Sequence, residues 1–235
     1  MRRFPVTNRE YLGFLNALVA AGRTDEALRH APRERGGVDN SGRLVYQRSA
    51  DGTFRLGPDA DGDEWLPDYP VFMVDWTGAR AFAAWEAERT GLPWRLPGEL
   101  EWEKAARGVD GRLFPWGNRL DPSWCCMAAS HPGRMLPAEV DTFPADVSPY
   151  GVRGMGGNVR DWCLDAFNDA GQSCPDGLVP HPEPGADDVD LRVLRGGTWD
   201  NDAVPVRAAS RTRSSHWNRH ANHGMRLIRR LVNGR

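Results

Sequence analysis

Lysine is nearly missing from this chain. Lys104 is the only one, so almost all positive charge sits on arginine. Codon usage in a GC-rich genome explains that bias without chemistry. Long apolar runs are missing too. None approaches the roughly 20 residues that a bilayer-spanning helix needs. The first residues, Met1-Arg-Arg-Phe-Pro-Val-Thr-Asn-Arg-Glu10, carry two arginines with no apolar stretch behind them, unlike a secretory signal. The expected location is the cytoplasm. No Cys-x-x-Cys pair occurs, which removes the common zinc arrangements. Cys125, Cys126, Cys163 and Cys174 read instead as buried thiols of a reducing compartment. Sequence neighbours such as Cys125 and Cys126 rarely bridge, because the ring is strained; a Cys163–Cys174 bridge stays open.

The net charge of −2 says little about partners, but its distribution says more. From Arg192 onward there are ten arginines and only two acids, Asp200 and Asp202. Such a patch can bind nucleic acid. The favoured reading is that these arginines brace loops and pair with acids elsewhere. With 235 residues, 40% hydrophobic content and ten tryptophans, the chain can bury a real core. Residues 1–235 are read as one domain.

Regular structure is expected early and late. Thr7 and Glu10 form a capping box for a helix from Thr7 to Ala21. Tyr11, Phe14, Leu15, Leu18 and Val19 make its apolar face, and Gly22 ends it. Residues 30–68 are Gly-, Asp- and Arg-rich, with room for a hairpin. Asp75 caps a second helix, about Thr77 to Arg89, ended by Gly91, with Phe82 and Trp85 facing the core. A third runs from Gly98 to Arg107. From 109 to 190 Gly, Pro and Asp recur every few residues, so regular structure there must be short. Trp76, Trp85, Trp94, Trp102, Trp116, Trp124, Trp162 and Trp199 are expected to brace so much loop. Arg192–Leu194 and Met225–Ile228 look like strands framing a polar insert, Asp200 to His223. The expected class is α+β.

Several stretches resemble the formylglycine-generating enzyme (sulfatase-modifying factor) family. They are Phe4-Pro-Val-Thr-Asn-Arg-Glu-Tyr11, Trp94-Arg-Leu-Pro-Gly-Glu-Leu-Glu-Trp-Glu-Lys-Ala-Ala-Arg-Gly108, Phe114-Pro-Trp-Gly-Asn118, Tyr150-Gly-Val-Arg-Gly-Met-Gly-Gly-Asn-Val-Arg-Asp-Trp162, and Arg195-Gly-Gly-Thr-Trp199 with Gly224-Met-Arg-Leu227. They fall in family order along nearly the whole chain. The resemblance implies a C-type-lectin-like fold rich in irregular structure. It does not fix function, because the family holds oxidases, enzymes of thiohistidine synthesis, kinase-fused domains and binding proteins.

The oxidase members bind copper(I) through two cysteines soon after the Gly-Gly-Ser/Thr-aromatic motif, and soft thiolates suit that ion. Here Asn201 stands at the first position and the second has no counterpart. Thiohistidine-forming relatives need an extra helical domain carrying iron ligands, which these residues do not contain. The family also implies calcium, held here by backbone oxygens of Gly157 and Val159 and by Asp161. A further ligand position falls on Gly154, which has no side chain, whereas calcium needs six or more oxygens. The alternative is a tight turn with Asp161 bonded to backbone amides. His216, His220 and His223 have spacing that a helix could turn into a metal face, but no carboxylate orients a ring.

Other members of this fold are variable proteins of diversity-generating retroelements, in which template adenines of a C-terminal segment are mutated. AAC and AAT codons then reach Asn, Asp, Ser, Thr, His, Ala, Val, Pro, Tyr and Arg, but not Lys, Glu, Gln, Met or Trp. Between Asp200 and His223 only Trp217 lies outside that set. The expected ligand surface comprises Trp199, Asp200, Asn201, Asp202, Val204, Pro205, Ser210, Thr212, Ser214, Ser215, His216, Trp217, Asn218, His220, Asn222 and His223. These are expected to face outward, with Arg211, Arg213 and Arg219 holding the loops. The partner would be a protein or other macromolecule. A family oxidoreductase and a kinase-associated sensor domain are the alternatives. The family's usual first strand is not seen ahead of Phe4, so a bare edge near the C-terminal strand could take a dimer partner.

Overall fold

A computed structural model describes residues 1–34, 41–59, 62–172 and 191–230. Helix α1 (Asn8–Ala20) starts where the sequence places it. The Thr7 side chain accepts from Glu10 N–H, and Glu10 accepts in turn from Thr7 N–H. Tyr11, Phe14, Leu15 and Leu18 form its buried face. Helix α2 (Thr24–His30) follows directly and has no side-chain cap. Strands β1 (Gln47–Arg48) and β2 (Phe54–Arg55) form the anticipated hairpin. Helix α3 (Trp76–Thr90) is capped by Asp75 and ends on Gly91 in the left-handed region. After β3 (Trp94–Arg95), helix α4 spans Glu99–Arg107. Among the described residues, no helix is long and apolar enough to cross a membrane.

The late chain supplies a four-stranded sheet of order β6-β5-β4-β7. β4 (Arg160–Ala166) and β5 (Leu191–Arg195) are antiparallel, β6 (Arg211–Ser215) pairs with β5, and β7 (His223–Gly224) runs parallel to β4. β8 (Ile228–Arg229) pairs with β3 instead. Two expectations need correction. The polar insert contains a strand, β6. The expected strand Met225–Ile228 is replaced by two short strands, β7 and β8, on either side of residues 225–227. That middle piece is not bare: Arg2 N–H donates to Leu227 O at 2.8 Å and Val6 N–H to Met225 O at 2.9 Å. The chain's own first residues therefore occupy the edge expected to be bare.

The main core lies between α1, α3 and the sheet. Tyr11, Phe14 and Phe82 pack with ring centroids 5.3–5.8 Å apart. A second cluster joins Trp102 to Met155, Cys163 and Val193, and a third joins Phe114 to Cys125 and Val206. Tryptophans do brace the loops. Trp76 Nε1 donates to Cys163 O at 2.8 Å and Trp162 Nε1 to Val74 O at 3.0 Å. At Gly157 the chain passes so close to the next segment that an added Cβ would sit 2.1 Å from Cys126 O.

Candidate ligand-binding surface

The C-terminal segment is held from below by arginines. Arg195 at the end of β5 is fully buried; its guanidinium donates to the carbonyls of Ala208, Ala209 and Ser210 at 2.8–3.2 Å and pairs with Glu103 at 2.6 Å. Arg211 on β6 pairs with Glu99 at the start of α4 and donates to Asn168 O. Arg219 pairs with Asp75 and donates to Arg29 O at 2.7 Å. Arg213 meets Asp169 at 3.1 Å. The bracing expected of Arg211, Arg213 and Arg219 is therefore present. Arg192, Arg195, Arg219 and Arg226 have little or no exposure, so four members of the basic run are committed inside the fold.

On this frame the expected contact residues divide into three groups. Asp202, Val204 and His220 are exposed. Trp199, Asp200, Asn201, Pro205, Ser210, Thr212, Ser215, His216, Trp217 and Asn218 are partly exposed. Ser214, Asn222 and His223 are buried, contrary to the outward placement expected of them. Their polarity misled because each finds a partner within the fold. Asn218 Nδ2 donates to Ser214 Oγ at 2.8 Å. Asn222 Nδ2 donates to Asp200 Oδ1 at 3.3 Å, and its Oδ1 lies 2.8 Å from His220 Nδ1. The His223 ring meets Trp162 edge-on at 5.0 Å. Burial, with His220 and Arg160 nearby, pushes the His223 pKa down to about 3, so the ring is neutral.

The two ends of the insert are thus tied together. Asp200 also accepts from Thr198 Oγ1, and Asn201 Oδ1 accepts from Arg160 Nη2 at 2.7 Å. Burial lowers the pKa of Arg160, and Asp200 opposes that shift. Arg160 and Thr198 were not singled out from sequence. The only signal for Arg160 was its place inside the Gly157-Asn-Val-Arg-Asp161 run.

None of the implied metals fits this chemistry. Where copper(I) would need a thiolate, Asn201 is bonded to Arg160. Cys125, Cys126 and Cys163 are free and buried. Burial pushes the Cys126 thiol up to about 12, and the other two rise as well. Cys174, and with it the bridge to Cys163, lies outside the described residues. For calcium, Asp161 already accepts from Trp102 Nε1 at 2.7 Å and pairs with Arg226. Arg226 also donates to the carbonyls of Arg153 and Gly154 at 3.1 and 2.8 Å. A guanidinium therefore neutralises the one carboxylate of the calcium set, and Gly157 O accepts from Val159 N–H at 3.1 Å. Among the described residues, no three His, Cys, Asp or Glu come together to hold a metal, so His216, His220 and His223 form no triad.

Fold and site define a mixed α+β scaffold of short elements that presents a rigidly backed polar surface. The model of the sulfatase-modifying factor enzyme 1-like domain matches residues 1–231, and the chain belongs to that family. It is 32% identical over 176 residues to the formylglycine-generating enzyme of Streptomyces coelicolor, covering 68% of this chain and 52% of that protein. The chain thus spans about half the length of that relative. Solved structures that share the fold include PvdO from Pseudomonas aeruginosa and Treponema denticola variable protein 1. PvdO has TM-score 0.69 and 21% identity, with 97% of this chain and 79% of that one covered. The variable protein has TM-score 0.63 and 20% identity, with 95% and 81% covered.

Proposed function

We propose that this chain is a non-catalytic ligand-binding protein, the variable protein of a diversity-generating retroelement, which takes a protein or other macromolecular ligand on its C-terminal surface. One observation carries the reading. The segment 199–223 combines an arginine-clamped frame with short, solvent-facing polar side chains, nearly all of types that adenine mutagenesis can write. Short side chains lose little entropy on ordering and can hydrogen-bond in many ways. Ser214, Asn222 and His223 are buried in the frame, leaving Asp200, Asn201, Asp202, Val204, Pro205, Ser210, Thr212, Ser215, His216, Asn218 and His220, beside Trp199 and Trp217. The fold shared with a variable protein supports the same reading, and Asn201 in place of a thiolate weighs against the oxidase.

The decisive test is the DNA beside the gene. The expected result is a near-copy of the segment encoding residues 200–223 next to a reverse-transcriptase gene, differing only at template adenines. A complete neighbourhood without such a copy would sink the proposal. A kinase frame fused to this one would favour the sensor alternative. Tight copper(I) binding by the purified protein would instead restore an oxidase.

A further inference from the structure

Lys104, the only lysine of the chain, is exposed on α4 and has no counter-ion. Side chains three or four residues apart are neighbours on a helix, and Glu101 is the one acid at that spacing. Glu101 is already committed. It accepts from Arg95 Nη1 and Nη2, each at 2.7 Å, and from Gly98 N–H at 2.8 Å. The adjacent Glu103 is divided between Arg107 at 2.7 Å and Arg195 at 2.6 Å. Among the described residues, the Lys104 ammonium therefore has neither an ion pair nor a hydrogen bond.

Lys104 lines a depression of about 360 Å³, together with Ala105, Tyr150, Val152 and Ile228. That volume lies at the small end of ligand sites. Three elements fix its walls. Glu101, Lys104 and Ala105 share one face of α4. Tyr150 and Val152 come from a closed turn: Ser148 N–H donates to Val152 O at 2.8 Å, and Ser148 Oγ accepts from the N–H groups of Tyr150 and Val152 at 3.3 Å. Ile228 belongs to β8, which is paired with β3. The floor continues into the core, since Val152 is buried and Ala105 packs on the cluster of Trp102 and Met155. Tyr150 differs. It is 56% exposed, and its hydroxyl has no partner among the described residues. The fold thus leaves one ammonium and one phenol hydroxyl beside an apolar floor, with an aromatic face above it. Glu101 does not cancel the ammonium, because Arg95 neutralises it. Two donors, one of them charged, match a single carboxylate; the floor and the Tyr150 ring match a flat hydrocarbon body.

We propose that this depression binds a small aromatic carboxylate. Its ring lies between Tyr150 and the floor of Ala105, Val152 and Ile228, and its carboxylate accepts from Lys104 Nζ and Tyr150 Oη. None of these residues falls within 199–223, so the site stands whether or not that surface is diversified.

The test is a titration of the full chain with phenylacetate, with phenylacetamide as the uncharged control. A single lysine gives a single set of lysine ε-methylene resonances, so these report the site directly, beside the Ile228 methyls. Saturable shifts of both are expected with phenylacetate, and binding of the amide weaker by about tenfold, the weight of a charge-assisted hydrogen bond. Lys104→Gln, at an exposed helix position, should weaken phenylacetate about tenfold and leave the amide unchanged, read at the Ile228 methyls. Lys104→Arg should keep most of the affinity, and Tyr150→Ala should weaken both compounds. No saturable shift, equal affinity for acid and amide, or unaltered phenylacetate binding by Lys104→Gln would each overturn the assignment.

Discussion

At the scale of single residues, this molecule depends on buried charges that are stable only in pairs. Arg226 and Asp161 are both within 1% of full burial; Trp102 Nε1 also donates to Asp161 Oδ2, and Arg226 donates further to the carbonyls of Arg153 and Gly154. Arg226→Met removes the cation and leaves a dry carboxylate, at an expected cost of about 3–5 kcal/mol. Asp161→Asn added to Arg226→Met should recover part of that, because the stranded charge is gone. Urea unfolding of the two variants checks this; a single variant within about 0.5 kcal/mol of wild type would mean the pair is not buried in solution. Close backbone approach is the second dependence. Gly157→Ala drives a Cβ into the Cys126 carbonyl, so the two segments must separate. The expected loss is about 1–3 kcal/mol, read in the same experiment.

At the scale of elements, the insert behaves as one strand and two tied turns. That predicts a contrast between two of its histidines. His220→Asp changes an exposed ring and gives up its one contact to Asn222 Oδ1, so it should cost about 1 kcal/mol. His223→Asp puts a carboxylate beside Trp162 with no cation bonded to it, and should cost about 3 kcal/mol or more. Equal losses in thermal or urea unfolding would show that the frame boundary is misplaced. The same contrast explains what sequence could show. Helices α1, α3 and α4 were legible because their ends carry local signals: Thr7 with Glu10, Asp75 with Gly91, and Gly108. α2 escaped because Arg23 gives no side-chain cap and seven residues carry too little periodicity. β4 escaped because it buries Asp161, Trp162, Cys163 and Leu164 in succession, so no alternation shows. β6 escaped because its residues are polar and bonded to Glu99, Asp169 and Asn218 far away or around a turn. The polar segment 200–223 itself was legible from composition. Its inner members were not, since the partner that buries a polar side chain is rarely adjacent in sequence.

At the scale of the whole molecule, loops and short elements held by buried polar groups make stability a function of pH. Two groups should oppose each other. Asp146 is 2% exposed, accepts from Met155 and Gly156 N–H, and has no salt-bridged cation among the described residues; burial raises its pKa from 3.8 to about 6. Its contribution is full below the unfolded value and is lost as pH rises through about 6. His223 titrates the other way. Held neutral with a pKa near 3 against 6.5 when unfolded, it contributes fully above 6.5, and that contribution is lost as pH falls towards 3. Between about pH 4 and 6.5 the two slopes have opposite sign, so the wild-type protein should show only a shallow dependence from this pair. Each substitution unmasks the other group. Asp146→Asn should lose stability on acidification relative to wild type, by up to about 1.4 kcal/mol per pH unit, the limit for one proton. His223→Gln should gain relative to wild type over the same window. Urea unfolding free energies across that range decide the matter. Parallel curves for Asp146→Asn and wild type would mean that the Asp146 carboxyl titrates as it does in the unfolded chain, and that the turn at Met155–Gly156 is open to water.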